Sequence, residues 1–141
     1  MLEESIFITD DKSILQIEVI HRFLANSYWS KNIPVETVIQ SIENSICFGV
    51  YVESKQVGFA RVISDKATFA YLADVFILEA YRGNGLSKML MKHIMNHASL
   101  QGLRRWLLAT RDVHGLYAQY GFQPLEIPER WMEKQKKDVY E

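Results

Sequence analysis

Residues 81–88, Tyr81-Arg82-Gly83-Asn84-Gly85-Leu86-Ser87-Lys88, have the types and spacing of an anion cradle. The apolar run Val75-Phe76-Ile77-Leu78 before them reads as a buried strand, and a strongly periodic helix follows. A strand that ends in a glycine turn and runs into a helix aims backbone N–H groups at one spot, where the helix dipole adds positive character. The expected guest is a phosphate or pyrophosphate. Gly83 and Gly85 let the backbone approach it with no Cβ in the way. Two common phosphate loops do not fit. A P-loop requires Gly, four residues and Gly-Lys-Ser/Thr, and the chain has no such run. The dinucleotide fingerprint G-x-G-x-x-G fails at its third glycine, where Lys88 stands.

The spacing Arg82-x-x-Gly85-x-Ser87 resembles the Arg/Gln-x-x-Gly-x-Gly/Ala pyrophosphate loop of the GNAT superfamily of N-acetyltransferases. Ser87 departs from the usual Gly or Ala, small for small. Downstream, Leu116-Tyr117-Ala118-Gln119-Tyr120-Gly121-Phe122 resembles the family's Leu-Tyr-x-x-x-Gly-Phe segment. Together the matches cover about residues 67–125; the N-terminal part resembles the family in element order only. The resemblance implies an α/β fold, with a mixed, mostly antiparallel sheet whose central strands splay and helices on both faces. It also implies acetyl-CoA-dependent transfer of an acetyl group to an amine of a small molecule or peptide. A second reading is an acyl-CoA-binding sensor or regulatory domain without turnover, which would have no use for a proton donor at Tyr117. A third, an α/β domain for another nucleotide, lacks the fingerprint residues.

Acetyl transfer needs a held donor, a hydrogen bond to the carbonyl oxygen, loss of a proton from the amine and gain of one by the thiolate. By resemblance, Val75, Phe76 and Ile77 line the donor, with Phe76 or Ile77 supplying the N–H that polarises the carbonyl. The pantetheine arm would pair with that strand edge. Arg82, Gly83, Asn84, Gly85, Leu86, Ser87 and Lys88 would hold the pyrophosphate, chiefly through backbone N–H groups. Tyr117 takes the place of the family tyrosine that faces the thioester sulfur. A phenol with pKa about 10 is a reasonable proton donor to a thiolate of pKa about 8.5. The competing reading of Tyr117 is a packed ring whose hydroxyl bonds to backbone. Thr110 stands seven residues before Tyr117, where the family often has an asparagine touching the pantetheine.

Asp74 is a carboxylate inside the most apolar strand, costly unless paired or functional. It reads either as the base that accepts the amine proton or as an ion-pair partner of Arg61. Tyr28 and Trp29, between the first two helices, read as an acceptor pocket, facing a cation, or as a staple of the helix hairpin. Arg111 reads as a surface arginine or as a contact for a 3′-phosphate or an acidic acceptor group, and Asp112 as a helix cap. Trp106, Trp131 and Tyr120 read as packing residues. The chemistry calls for no metal, although His93 and His97 form an i,i+4 pair.

The elements that must position these residues follow from periodicity. Ile6-Phe7-Ile8 is a first strand, and Thr9-Asp10-Asp11 caps a helix with Ile14, Ile17, Ile20 and Leu24 on one face. Pro34 opens a second helix through Ile42. Residues 46–52 and 56–63 form a hairpin, and 68–78 a long central strand. Leu86, Met89, Leu90, Ile94 and Ala98 mark the helix after the loop, with Gly102 as its stop. Residues 105–110 are a strand, 113–120 a short helix, and 122–127 a last strand broken by Pro124.

The 141 residues suggest one domain, 1–141. Sixteen basic against seventeen acidic residues give a net charge of −1, which argues against bulk nucleic-acid binding. No apolar run approaches a membrane span. The acidic start Met1-Leu2-Glu3-Glu4-Ser5 lacks a signal-peptide layout, and a single cysteine, Cys47, excludes an internal disulfide. The expectation is a cytoplasmic protein with no membrane or nucleic-acid partner. A homodimer is possible, with the C-terminal strand edge as the candidate contact.

Overall fold

The computed structural model describes residues 5–141; the N-terminal run Met1–Glu4 read above lies outside the described residues. Five strands form one sheet in sequential order: β1 Ile6–Thr9, β2 Ile46–Val52, β3 Lys55–Ser64, β4 Phe69–Ile77 and β5 Arg105–Leu108. The first four are antiparallel, and β4 with β5 is parallel. This is the mixed, mostly antiparallel sheet the resemblance implied. The β2–β3 connection is tight because Glu53 and Ser54 both take positive φ, 50° and 68°, which matches the right-handed twist of the hairpin.

Two cores cover the two faces, as the alternation of side chains along a strand requires. On one face α1 Ile17–Ala25 and α2 Val35–Glu43 bury Ile20, Leu24, Val38 and Ile42 against Cys47, Phe59 and Phe76. On the other, α3 Leu86–Met95 buries Leu86, Leu90, Met91 and Ile94 against Phe48, Val50, Val62, Ala70 and Leu72. The short α4 His114–Ala118 adds Tyr117 to this second core. Phe48 lies between the edges of His93 and His97, at 6.1 and 5.5 Å, and His97 Nε2 lies 2.7 Å from Asp10. His93 is exposed on α3, and His97, half-buried, caps the 3-10 turn that follows it.

Several expected boundaries move. Asp11 caps only a 3-10 turn, Lys12–Ile14, with its carboxylate accepting from Ser13 N–H, and α1 begins at Ile17. Ile14 therefore lies outside the helix and is exposed. In α3, Met89 is exposed and Met91 takes the buried place. The helix stops at Met95, and a 3-10 turn containing Ala98 intervenes, so Gly102, at φ 72°, turns the chain into β5 rather than ending α3. The expected strand at 122–127 is absent; that stretch is irregular, as Pro124 removes a ladder donor there. It leaves the outer side of β5 beside a cavity of 1040 Å³ lined by Trp106, Leu108, Tyr117, Phe122 and Trp131. Trp131 stacks on Arg105 at 4.7 Å and Trp106 meets Phe122 edge-on, both packing roles.

Candidate active site

The site is made by a defect in the sheet. Phe59 faces Phe76 and Arg61 faces Ala73, so Ala60 alone spans Asp74 and Val75 on β4. The extra residue is a β-bulge, and Asp74 takes φ 55° to accommodate it. A bulge bends its strand. The parallel pairing of β4 with β5 runs from Phe69↔Arg105 to Leu72↔Leu108 and ends there, just before the bulge. Beyond it the strands part, which leaves one side of Val75–Ile77 without a strand partner. Leu78 N–H donates to Val57 O at 2.7 Å, toward β3. Alternation turns Phe76 N–H to the same side and Val75 and Ile77 N–H to the open side. The Phe76 ring packs on the α1 face, stacked on Phe23 at 4.0 Å.

The loop that closes the open end is held by its own side chains. Arg82 Nε donates to Ile77 O at 2.9 Å, and Asn84 Nδ2 donates to Tyr81 O at 3.0 Å. Gly83 and Gly85 sit at φ 83° and 77°, and a Cβ on either would meet open space. Gly85 is the N-cap of α3 and carries no side-chain cap. Among the described residues, nothing accepts the N–H groups of Gly83, Asn84, Gly85, Leu86, Ser87 or Lys88; the first helical bond is Met89 N–H to Gly85 O. A row of such donors at a helix start is an arrangement suited to binding an anion. Ser and Thr are favoured N-caps because a side chain fills this place; here glycine keeps it clear.

Across the opening stands α4. Tyr117 is 7% exposed, and no described residue hydrogen-bonds its hydroxyl. Burial, and then the neighbouring Tyr28, push its pKa above the ordinary phenol value. The Tyr117 ring is packed, edge-on to Phe122 at 6.0 Å, with no described partner for its hydroxyl, whereas Tyr120 Oη donates to Lys88 O at 3.0 Å, tying α4 to α3. Thr110 Oγ1 accepts from Val113 N–H at 3.4 Å and so starts the turn into α4. Asp112 makes no capping bond.

The third wall comes from the segment after α1. Asp74 accepts from Arg61 Nε at 2.9 Å through one oxygen and from Trp29 Nε1 at 2.8 Å through the other. Arg61 reaches on to Ser45 Oγ at 3.1 Å. The bulge carboxylate thus anchors Trp29 over the opening. Tyr28 packs edge-on against Trp29 at 5.1 Å, and the Arg111 guanidinium lies 4.0 Å above the Tyr28 ring. Together with Phe23, Arg22, Lys55 and Leu78 they enclose a cavity of 650 Å³. Both aromatic residues flagged in the sequence reach this cavity. Arg22 and Lys55 carried no signal in the sequence, because residues from α1 and the start of β3 become neighbours only through the packing of α1 on the sheet. Among the described residues, no group of three or more His, Cys, Asp or Glu side chains is placed to hold a metal ion.

A splayed β-bulge strand, a glycine loop at a helix start and a buried tyrosine in the short helix after β5 are the features the sequence resemblance implied. Residues 43–124 match the acetyltransferase (GNAT) domain family. A GNAT-family protein of Xanthomonas campestris pv. campestris is 51% identical, with a TM-score of 0.94 over 96% of each chain. A Gibberella zeae protein named as a candidate acetyltransferase is 33% identical over 135 residues, covering 79% of this chain and 75% of that one. A Clostridium acetobutylicum structure solved with acetyl-CoA shares the fold alone, at 17% identity and a TM-score of 0.63 over 93% of this chain and 95% of that one. The chain belongs to the GNAT acetyltransferase family, and its reaction class is acyl transfer.

Proposed function

We propose that the protein is an acetyl-CoA-dependent N-acetyltransferase that passes an acetyl group directly to an amine of a small molecule or peptide. The observation that carries this reading is the unaccepted row of N–H groups from Gly83 to Lys88, beside a strand edge that β5 leaves open. The residues fit the donor. The loop N–H groups take its pyrophosphate, Val75 and Ile77 offer backbone groups to its pantetheine arm, and Thr110 offers a hydroxyl from the other side. When bound, acetyl-CoA supplies an activated carbonyl and a thiolate leaving group.

The chain's own contribution is orientation and proton movement. Ile77 N–H stabilises the carbonyl oxygen as negative charge develops on it. The acceptor nitrogen forms the new N–C bond while the C–S bond breaks. Tyr117 gives its phenolic proton to the departing sulfur, the amine releases one proton to water, and water reprotonates Tyr117. The raised pKa of Tyr117 keeps the phenol protonated at neutral pH, as an acid must be. Asp74, with both oxygens engaged by Arg61 and Trp29, serves in this reading as a positioning residue, not as the base.

Thermal unfolding tests the donor. At a hundredfold excess over Kd, a bound ligand adds about 2.7 kcal/mol, a rise of roughly 5–10 °C in Tm for a domain of this size. Acetyl-CoA is expected to produce it and NAD and ATP are not. No shift at millimolar acetyl-CoA would end the reading. A shift with no thiol release from any amine would support the sensor reading instead.

A further inference from the structure

The cavity beside α1 carries a charge that acetyl transfer as such does not require. Arg22 from α1, Lys55 at the start of β3 and Arg111 from the stretch after β5 line it, and no carboxylate does. Among the described residues none of these cations has an ion-pair partner; the pairs formed are Arg61–Asp74 and His97–Asp10. In a chain of net charge −1, this is a local concentration and not a reflection of composition. Arg111 is also pre-oriented. Its guanidinium carbon lies 4.0 Å from the centre of the Tyr28 ring, which holds the head group at the cavity wall, and a guanidinium can offer two parallel N–H groups to an oxyanion.

We propose that the amine acceptor also carries an anionic group, a carboxylate or a phosphate, and that Arg22, Lys55 and Arg111 bind it. The proposal rests on the acetyl-transfer reading above. The cations lie on the α1 face, whereas the donor loop opens at the start of α3 on the other. Lys55 lies 5.9 Å from the ring of Tyr81, the first residue of the loop stretch, so Arg22 and Arg111 are the discriminating pair. Their field has a second effect. Neighbouring positive charge disfavours an ammonium, so a bound acceptor more readily presents a free amine, in a site where Asp74 is already engaged. A polycationic acceptor would meet repulsion instead.

The test uses the full chain saturated with acetyl-CoA and amines of matched length bearing a carboxylate, a phosphate or no acid. Thiol release gives kcat/KM, and the melting shift gives acetyl-CoA affinity. At least one acidic series is expected to exceed the neutral one by at least about tenfold, the scale of one charge-assisted contact; whichever acid leads identifies the anion. In R22Q/R111Q that advantage is expected to collapse while acetyl-CoA affinity holds within about twofold. A neutral amine that equals or beats both acids overturns the proposal. So does a double variant that loses acetyl-CoA affinity instead, since the cations would then serve the donor. So does failure of every acidic amine both to be acetylated and to raise the Tm of the acetyl-CoA complex. Absence of acetyl-CoA binding to the unaltered protein is a different result, which removes the acetyl-transfer reading and this proposal with it.

Discussion

The two halves of the site are built from different materials. On the proposed reading, the donor half uses backbone: the N–H groups of Val75 and Ile77 at an unpaired edge and of Gly83 to Lys88 at a helix start. The half proposed for the acceptor uses side chains: Tyr28, Trp29, Arg22, Lys55 and Arg111, brought from α1 and the segment after it, the start of β3 and the stretch after β5. Backbone donors need a particular local chain path, so glycines at fixed spacing mark them. Side-chain walls need only the right group at the right point in space, which many sequences can place. A donor shared by a whole family suits the first solution, and an acceptor peculiar to one enzyme suits the second.

The sharpest way to break this contrast is Gly85→Val. At φ 77° a β-branched residue is strained, and its side chain would project into the open space beside the loop. Acetyl-CoA is expected to lose its melting shift entirely, with the fold retained by circular dichroism; an undiminished shift would show that backbone does not make the donor site. Next in size, Tyr117→Phe is expected to lower kcat at least about tenfold, with acetyl-CoA affinity unchanged. Because the pKa of Tyr117 is raised, its acid form persists above its ordinary range, so kcat should show no fall on the alkaline side below about pH 10. An unchanged rate in the variant would remove Tyr117 from the chemistry.

A smaller effect sharpens the division. Asp74→Asn keeps a residue that tolerates positive φ but leaves Arg61, whose side chain is 17% exposed, without its counter-charge. Stability should fall by about 2 kcal/mol, and KM for the acceptor should rise severalfold as Trp29 loosens, with the acidic limb of the pH–rate profile kept. Loss of that limb would make Asp74 the base after all. The smallest effect concerns Cys47, which is 1% exposed and whose thiol burial pushes up to about 11. Thiol reagents should label it only slowly in the folded protein, leaving thiol-release assays unconfounded; rapid labelling would show that the α1–α2 face opens.

Legibility followed range along the chain. The strand–loop–helix at 75–95 and the Leu116–Phe122 segment could be read because each is one continuous stretch whose residue types answer to local geometry. The hairpin and the helix at Val35–Glu43 could be read from alternation and Pro34 for the same reason. The strand expected at 122–127 failed because an apolar run says nothing about whether a neighbour's edge is there to pair with. Ile14 and Met89 were misplaced for a similar reason: helical spacing allows several apolar stripes, and only the partner surface selects the buried one.

The sequence by itself determined the local elements on which the proposed donor site rests: a loop turned by Gly83 and Gly85, an open helix start, and a tyrosine in the following motif. What only the tertiary structure decided was where each of these stands against the rest. The bulge at Asp74 exists only as a mismatch between β3 and β4, and the splay only as the point where β5 departs. The choice of Ile77 over Phe76 as the inward N–H depends on which neighbour Leu78 pairs with. Arg22, Lys55, Arg111 and the Trp29–Asp74 bond join residues far apart in the chain. Such contacts depend on distances through space, which burial of the two cores sets and no local pattern records.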